Sequence, residues 1–205
     1  AKQVRHLAAM DRIDVAELLV DDERPTTLKQ RVAAQTQQIV RIDSETAAPI
    51  PEQLARLLGQ RVALAARDCD VLIISDYDKG VITKSLLETA VTAFKRAGKP
   101  VVVDPNVIHF FSYRDLTVIT PNHLQLERVS GKRIRSEAEL FEAGREIRAK
   151  LGTSALLITR GEAGMALLSD DGITKIPTVA REVYDVTGAG DTVVAVLALG
   201  LGAGL

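Results

Sequence analysis

From residue 51 onward, apolar and polar positions follow two alternating periods along the chain. "PEQLARLLGQRVALAA", "TKSLLETAVTAFKRAG" and "SEAELFEAGREIRAKLG" carry apolar residues every three or four positions, which is typical of helices that lie on a core. Between them, "CDVLIIS", "KPVVVD", "LTVIT" and "SALLIT" are short continuous apolar runs, which indicate strands buried on both faces. This alternation predicts an α/β fold with a central, mostly parallel sheet flanked by helices.

Other parts of the chain carry different patterns. "VRHLAAM" has helical spacing, and "DVAELLVDD" predicts a short strand. "TLKQRVAAQTQQIVRIDSE" contains two β-rich runs, at residues 29–33 and 38–42, and predicts a hairpin partly outside the main core. "GMALLS" and "GITKIP" predict an antiparallel pair around the Asp-Asp-Gly turn at residues 170–172. A Ser-x-x-Glu capping box at residues 136–139 predicts a helix start.

Polar residues follow each of the four predicted parallel strands. In such a sheet the carboxyl ends of the strands share one edge, where ligands bind. That edge receives "SDYDKG" (residues 75–80), "DPN" (104–106), "TPN" (120–122) and "TRG" (159–161). We therefore expect one polar edge that forms the functional site.

Composition narrows the class of protein. Lys plus Arg is 26 and Asp plus Glu is 27, so the net charge of -1 does not indicate a nucleic-acid surface. No apolar run is long enough to cross a membrane, and the first 20 residues have no apolar secretory core. The single cysteine, Cys69, excludes an internal disulfide framework and fits a reducing cytoplasm. Because Cys69 lies beside an apolar strand, we expect a buried, inert thiol.

The stretch "DVTGAGDTVVAVLALG" places small residues before one aspartate at the start of a predicted helix. The amides of Gly188, Ala189 and Gly190 would lack helical partners at the positive end of the helix, which suits a phosphate or a developing oxyanion. Asp191 would take the proton of an alcohol as its oxygen attacks phosphorus. The simpler interpretation is a glycine-rich helix start with a favourable N-terminal charge. The motif is long, spanning residues 185–192, and it follows a β pair. Both features favour the interpretation as a phosphoryl-transfer site.

"DVTGAGDT" resembles the C-terminal signature of the ribokinase-like (PfkB) carbohydrate kinases. "TPN" followed by a helix is similar to the family's Asn-x-x-Glu region, and "LLITRGEAGMAL" to its nucleotide-binding strand and turn. The resemblance covers nearly the whole chain and implies a single ribokinase-like domain over residues 1–205, with small β lid strands near 27–43. Because the chain lacks a starting Met and ends at a predicted helix, we interpret it as truncated at both ends.

Within the family, "TTLKQRVAAQTQQIVRIDSE", "VLIISDYDKGVIT" and "EVYDVTGAGDTV" are most similar to the kinases of heptose phosphate, which act in ADP-heptose synthesis for the lipopolysaccharide core. The resemblance implies transfer of the γ-phosphoryl group of ATP to a sugar hydroxyl, with Mg²⁺ bridging the ATP phosphates. It also implies a cytoplasmic protein and a homodimer that pairs through the lid strands.

The resemblance assigns roles to individual positions. Asp191 matches the catalytic base, and Gly188, Ala189 and Gly190 match the anion hole. The positions that match the nucleotide site or its neighbours are Asn122, Gln125, Thr159, Arg160, Gly161 and Glu162. The positions expected at the sugar are Arg31, Gln38, Asp76, Lys79 and Asn106. No side chain is assigned as a metal ligand, and the three histidines share no ligand spacing for zinc.

Departures from the family pattern keep other interpretations open. Gln125 stands where the family has glutamate, and glutamine cannot supply the same charge to a metal–water shell. Asn106 stands where heptose kinases usually have lysine, and the family's N-terminal Gly-Gly motif has no match here. Lys79 is equally well interpreted as a solvated loop lysine, and Asp104 as the end of a strand. The alternatives are a kinase for another sugar or nucleoside, and a weakened paralogue that binds nucleotide or sugar.

Overall fold

The structure, a computed structural model, describes residues 2–34, 37–179 and 188–205, without the side chains of Gln37 and Gln38. The helices are α1 (Lys2–Met10), α2 (Glu52–Ala65), α3 (Lys84–Arg96), α4 (His123–Ser130), α5 (Glu137–Leu151) and α6 (Ala189–Gly202). The strands are β1 (Leu28–Ala34), β2 (Gln37–Ser44), β3 (Leu72–Ser75), β4 (Val101–Asp104), β5 (Val118–Ile119), β6 (Ala155–Thr159), β7 (Met165–Ser169) and β8 (Gly172–Ile176). Short 3₁₀ turns span Phe110–Ser112 and Gly161–Ala163.

Six strands form one mixed sheet in the order β3-β4-β5-β6-β7-β8. The neighbours from β3 to β6 are parallel, and β6–β7 and β7–β8 are antiparallel. The predicted parallel sheet and the antiparallel pair at its end are therefore confirmed. The carboxyl ends of β3, β4, β5 and β6 lie at one edge, as the alternation of strands and helices requires.

Strand β4 shows why helices cover both faces of this sheet. Successive side chains of a strand point to opposite faces. Val101 and Val103 are buried in the main core, whereas Val102 packs with Val194 and Ala198 of α6 on the other face. The apolar side of α6 is thus fixed on β3 and β4, which sets where the N-terminus of the helix lies.

Side-chain caps define where several helices begin. Ser136 and Glu139 form the predicted capping box at the start of α5, with Glu139 N donating to Ser136 Oγ at 3.2 Å. Thr83 accepts from the backbone of Leu86 at the start of α3. Within the described residues, no helix has the length and apolarity needed to span a bilayer.

Strands β1 and β2 form a separate antiparallel pair, which we call the lid hairpin (residues 28–34 and 37–44). This pair confirms the predicted hairpin. Every residue of β1 is exposed, so the hairpin lies outside the main core. The pairing shifts between Val32 and Ala33, where the strand carries an irregularity.

Three expectations were wrong. Residues 14–22 form turns and irregular structure instead of a strand, because the side chains of Asp14 and Asp21 accept hydrogen bonds from nearby backbone amides. Strand β3 is buried on one face only: Ile74 is 6% exposed, whereas Ile73, whose side chain points to the other face, is 43% exposed. Cys69 is exposed rather than buried, because it lies in the connection between α2 and β3.

Candidate active site

The ends of β4, β5 and β6, the loop after β3 and the start of α6 enclose a cavity of about 250 Å³, called cavity 1. Its lining residues are Tyr77, Asp104, Thr120, Asn122, Gln125, Thr159, Gly188, Gly190 and Asp191. Five of them stand at the end of a strand or within three residues after it, namely Tyr77, Asp104, Thr120, Asn122 and Thr159, so the predicted gathering of polar groups at one edge is confirmed. The cavity joins parts of the chain that are far apart in sequence.

The start of α6 forms one wall of cavity 1. Gly188 adopts a left-handed backbone conformation with φ of 78°, which favours glycine. Thr192 N donates to Gly188 O at 2.9 Å and begins the helical pattern. A Cβ on Gly190 would meet no atom within 4 Å, so this turn borders open space. The first amides of a helix lack helical acceptors and lie at its positive end, an arrangement that suits an anion.

Asp191 stands on this first turn and is held from across the cavity. The phenol of Tyr77 donates a hydrogen bond to Asp191 Oδ1 at 2.7 Å. Asp191 Oδ2 lies 4.0 Å from the position that a Cβ on Gly188 would occupy, so it faces the glycine side of the turn. The hydrogen bond to Asp191 is the main cause that raises the pKa of Tyr77, with burial and the negative charge of Asp191 adding to it.

Asp104, the last residue of β4, brings a second carboxylate into cavity 1. Burial raises the pKa of Asp104 to about 6, and the negative charges of Asp191 and Asp76 add to the effect. The cavity therefore combines two carboxylates with the positive end of a helix. Such a combination places a proton acceptor next to an anion-binding turn.

Asn122 and Gln125 shape the opposite wall through a capping box at the start of α4. Asn122 Oδ1 accepts from Gln125 N, and Asn122 N donates to Gln125 Oε1, both at 2.8 Å. The free end of the same amide, Gln125 Nε2, donates to Pro105 O at 2.8 Å. A glutamate would lack this last donor, so the departure from the family's Asn-x-x-Glu has a structural role here. Glu127, the next acid, instead accepts from the backbone of Ile134.

The loop after β3 is anchored by a buried carboxylate. The side chain of Asp76 is only 1% exposed. It accepts hydrogen bonds from the Tyr113 phenol, from Asp78 N at 2.8 Å, and pairs with His109 Nδ1 at 2.7 Å. Burial and the bond to Asp76 raise the pKa of Tyr113. The oxygens of Asp76 are therefore already engaged within the protein.

A second cavity of about 460 Å³, cavity 2, lies between the start of β1 and the loop after β3. Its lining residues are Thr27, Lys29, Ser75, Asp76, Tyr77, Lys79, Val81 and Ile82. Tyr77 lines both cavities. Lys79 is half-buried and forms an ion pair with Glu45 at 2.6 Å, so it differs from a freely solvated lysine.

Arg31 and Asn106, which were also expected at the sugar, do not line either cavity. Arg31 is exposed on the lid hairpin, opposite Arg41 in the register. The backbone of Gln38 pairs with Ala33, and its side chain falls outside the described residues. Asn106 accepts from Ile108 N at 3.0 Å and thereby forms a local turn.

The predicted nucleotide residues divide into two groups. Asn122, Gln125 and Thr159 line cavity 1, and Thr159 forms a β-bridge with Asn122. Arg160 pairs with Glu137 of α5 at 2.8 Å instead. The 3₁₀ turn that contains Gly161 and Glu162 follows β6 and does not line either cavity. Ala189, which was predicted to belong to the anion hole, lies in the first turn of α6.

Three residues of cavity 1 had no assigned role in the sequence analysis: Tyr77, Asp104 and Thr120. All three lie in the polar segments that follow the predicted strands. This position at a strand end was the feature of the sequence that could have identified them as site residues. Thr120 is buried and donates from Oγ1 to Val103 O at 3.2 Å, which joins two strand ends. In the described parts of the chain, no three His, Cys, Asp or Glu side chains come together as a metal site.

Comparison with known families identifies the family of this chain. The pfkB family carbohydrate kinase profile matches residues 1–205. The chain belongs to the pfkB family of carbohydrate kinases. Its cavity 1 therefore lies in a sugar-kinase fold, and the resemblance seen in "DVTGAGDT" is confirmed at the level of the family.

Relatives of this pfkB chain include two bifunctional proteins named HldE. The one from Geotalea uraniireducens is 45% identical over 203 residues, which are 98% of this chain and 41% of that protein. The one from Citrifermentans bemidjiense is 46% identical over 189 residues, covering 92% and 39% of the two chains. The chain thus spans about two fifths of the length of these relatives.

Solved structures support the ribokinase-like fold. Phosphofructokinase-2 from Escherichia coli, in complex with potassium, matches with a TM-score of 0.83 at 18% identity, over 99% of this chain and 66% of that one. Ribokinase from Arabidopsis thaliana, complexed with ribose and ATP, matches with a TM-score of 0.60 at 22% identity, over 82% and 53%. At these identities the matches establish the fold alone.

Proposed function

We propose that this protein is an ATP-dependent sugar kinase that phosphorylates a hydroxyl of a heptose phosphate. The observation that carries the kinase assignment is the position of Asp191 on the first turn of α6, inside cavity 1 with Gly188 and Gly190. The sugar is proposed from the resemblance of three segments to heptose phosphate kinases, and the HldE relatives favour the same branch of the family.

The proposed chemistry is a single in-line transfer. Asp191 accepts the proton of the acceptor hydroxyl as that oxygen forms a bond to the γ-phosphorus. The bond between this phosphorus and the bridging oxygen of ATP breaks, and ADP leaves with the electron pair. The amides of Gly188, Ala189 and Gly190 stabilise the negative charge on the transferring group. Positioning and electrostatics supply most of the rate in such reactions.

The proposed place of the phosphate end of ATP is cavity 1, beside the anion-binding turn at the start of α6. About 250 Å³ lies below the range of roughly 300–1,000 Å³ that is usual for whole drug-sized ligands, so the cavity suits the phosphate end. The open space over Gly190 leaves its backbone accessible to an anion. Mg²⁺ usually takes one or two carboxylates together with substrate phosphates. Asp104, the second carboxylate of cavity 1, would hold the ion, which would neutralise negative charge on the phosphates.

Cavity 2 is the proposed acceptor subsite. It adjoins cavity 1 at Tyr77, and Lys29 and Lys79 border it. The charge of Lys29 favours a phosphorylated sugar over a neutral one, whereas the charge of Lys79 is already paired with Glu45. Lys29 belongs to the lid hairpin, which also carries the proposed sugar contacts Arg31 and Gln38.

The lid hairpin is also the proposed pairing surface of a homodimer. Val32 and Val40 are paired across the two strands, and both are exposed. Exposed apolar side chains on one face of a hairpin favour association with a second copy. Light scattering on the intact protein should give a dimer, and Val40→Lys should give a monomer. A monomeric wild type would contradict this part of the proposal.

The activity is tested with the intact protein, ATP and three acceptors. Heptose 7-phosphate should be phosphorylated with a kcat/KM about 100-fold or more above those of fructose 6-phosphate and ribose, because both are smaller sugars and one missing carbon alone is worth about 10–200-fold. Asp191→Asn should lower kcat by about 10²–10⁴ and keep ATP binding in calorimetry. Turnover of fructose phosphate or ribose without heptose phosphate would overturn the substrate. ATP binding without any turnover would favour the weakened paralogue.

A further inference from the structure

Tyr77 is the residue that connects the two cavities. Its side chain is 54% exposed, yet its phenol is bonded to Asp191 Oδ1 at 2.7 Å across 114 positions of sequence. It lines cavity 1 and cavity 2 at once. A tyrosine that is more than half exposed gains little stabilisation from burial of its ring. Something other than packing must therefore hold the Tyr77 side chain in this position.

The backbone around Tyr77 supplies that cause. On one side, Asp76 is buried and held by Tyr113 and His109. On the other side, Asp78 takes an unusual left-handed φ of 54°, and its amide donates to Asp76 Oδ1. Further along, Gly80 O accepts from Ile50 N at 2.9 Å. The loop is therefore anchored before and after Tyr77, and the fold itself sets where the phenol points.

The phenol contacts one of two oxygens that differ in surroundings. Oδ1 of Asp191 accepts from Tyr77, whereas Oδ2 faces the Gly188 side of the helix start. Partial rotation of the carboxylate away from this orientation would break the bond to Tyr77. The contact therefore acts on the group that takes the proton in the proposed reaction.

We propose that Tyr77 is a positioning residue for Asp191, which holds Oδ1 so that Oδ2 accepts the proton of the sugar hydroxyl. The proposal rests on the kinase function proposed above. Tyr77 stands between the cavity that takes the phosphates and the cavity that takes the sugar, so the same contact aligns the base with the boundary where the two substrates meet.

The charged groups around this pair come from several elements. Asp104 at the end of β4 shares cavity 1 with Asp191. Asp76 is close enough for its negative charge to add to the raised pKa of Asp104. Lys29 of β1 and Lys79 of the loop after β3 border cavity 2. His109 contacts Asp76 and lies 4.0 Å from Asp78.

The kinetic test compares wild type, Tyr77→Phe and Tyr113→Phe in the intact protein. Tyr77→Phe should lower kcat by about 10-fold or more, with the KM for ATP within about twofold, as expected for loss of a contact to the base. Tyr113→Phe removes a phenol from Asp76, which anchors the loop before Tyr77, and should lower the unfolding midpoint. Its loss of kcat should be smaller than that of Tyr77→Phe, because the phenol on Asp191 is kept. An unchanged kcat in Tyr77→Phe, or an equal loss of kcat in the two variants, would overturn the proposal.

A second measurement needs no turnover. Alkaline titration of the tyrosines by ultraviolet absorbance should show one phenol ionising at lower pH in Asp191→Asn than in wild type, because the bond to Asp191 raises the pKa of Tyr77. Identical titration curves would overturn the contact even in an active kinase. A wild type without kinase activity that still shows the shift would refute the proposed function and leave the Tyr77–Asp191 contact established.

Discussion

The side-chain amide of Gln125 donates from Nε2 to the carbonyl oxygen of Pro105 at 2.8 Å. This bond ties the start of α4 to the loop after β4, two walls of the same cavity. The other end of the amide caps the helix through Asn122. Since both ends are used, this position is a structural tie between strand ends.

Gln125→Glu, which installs the residue typical of the family, should destabilise this chain. A carboxylate oxygen would face the Pro105 carbonyl, so two acceptors would meet without a donor. We expect the free energy of unfolding to fall by about 1–2 kcal/mol, measured by urea unfolding at pH 7. The matched control is Gln53→Glu on the exposed side of α2, which should change stability by less than about 0.5 kcal/mol. Equal stability of the wild type and Gln125→Glu would contradict the structural role.

Asp76 and Asp78 should respond differently to the same substitution. Asp76→Asn replaces a buried acceptor of the Tyr113 and His109 contacts by a group that also donates, so the free energy of unfolding should fall by about 1–3 kcal/mol. Asp78→Asn should be within about 0.5 kcal/mol of wild type, because asparagine tolerates its left-handed φ of 54°. Chemical denaturation of both variants gives the comparison. Similar losses in the two variants would refute the anchoring role of Asp76.

Gly80→Ala should be more harmful than Gly131→Ala, although both glycines have positive φ, 73° and 68°. A Cβ on Gly131 would meet no atom within 4 Å, so alanine there pays only the left-handed strain of about 1–2 kcal/mol. A Cβ on Gly80 would overlap with the backbone carbonyl of Ala48. The overlap should add about 1–3 kcal/mol of destabilisation, measured by thermal or urea unfolding. An equal loss of unfolding free energy in the two variants would show that the loop of Gly80 can move away from Ala48 without cost, which would contradict the predicted overlap.

Asp104 should give the protein a characteristic pH dependence. Its folded-state pKa is raised from 3.8 to about 6, so the native state binds the proton more tightly than the unfolded chain. Stability therefore falls as the pH rises from about 4 to about 6, and the loss is complete above that range. Asp104→Asn removes this effect. Its stability relative to wild type should increase over that pH range and then level off at roughly 1–2 kcal/mol, a value reduced for solvent screening at this partly exposed site. Urea unfolding between pH 4 and pH 8 measures it, and a constant difference would contradict the assignment.

Local patterns predicted much of the fold. The capping box of Ser136 and Glu139 and the turn between β7 and β8 follow from residues close in sequence. Residues 14–22 were predicted wrongly, because aspartate side chains bonded to nearby amides and competed with strand formation. The exposures of Ile73 and Cys69 depend on whether another element covers them, which no local pattern records.

The sequence by itself determined the alternation of strands and helices, the polar segments at four strand ends and the glycine turn before Asp191, because each depends on spacing along the chain. Only the tertiary structure decided which of these groups meet. It placed Tyr77 on Asp191 and Gln125 on Pro105, and it engaged the oxygens of Asp76 inside the protein. The physical reason is that a hydrogen bond needs its two atoms within about 3.2 Å, and packing of α6 and the loops on the sheet sets that separation.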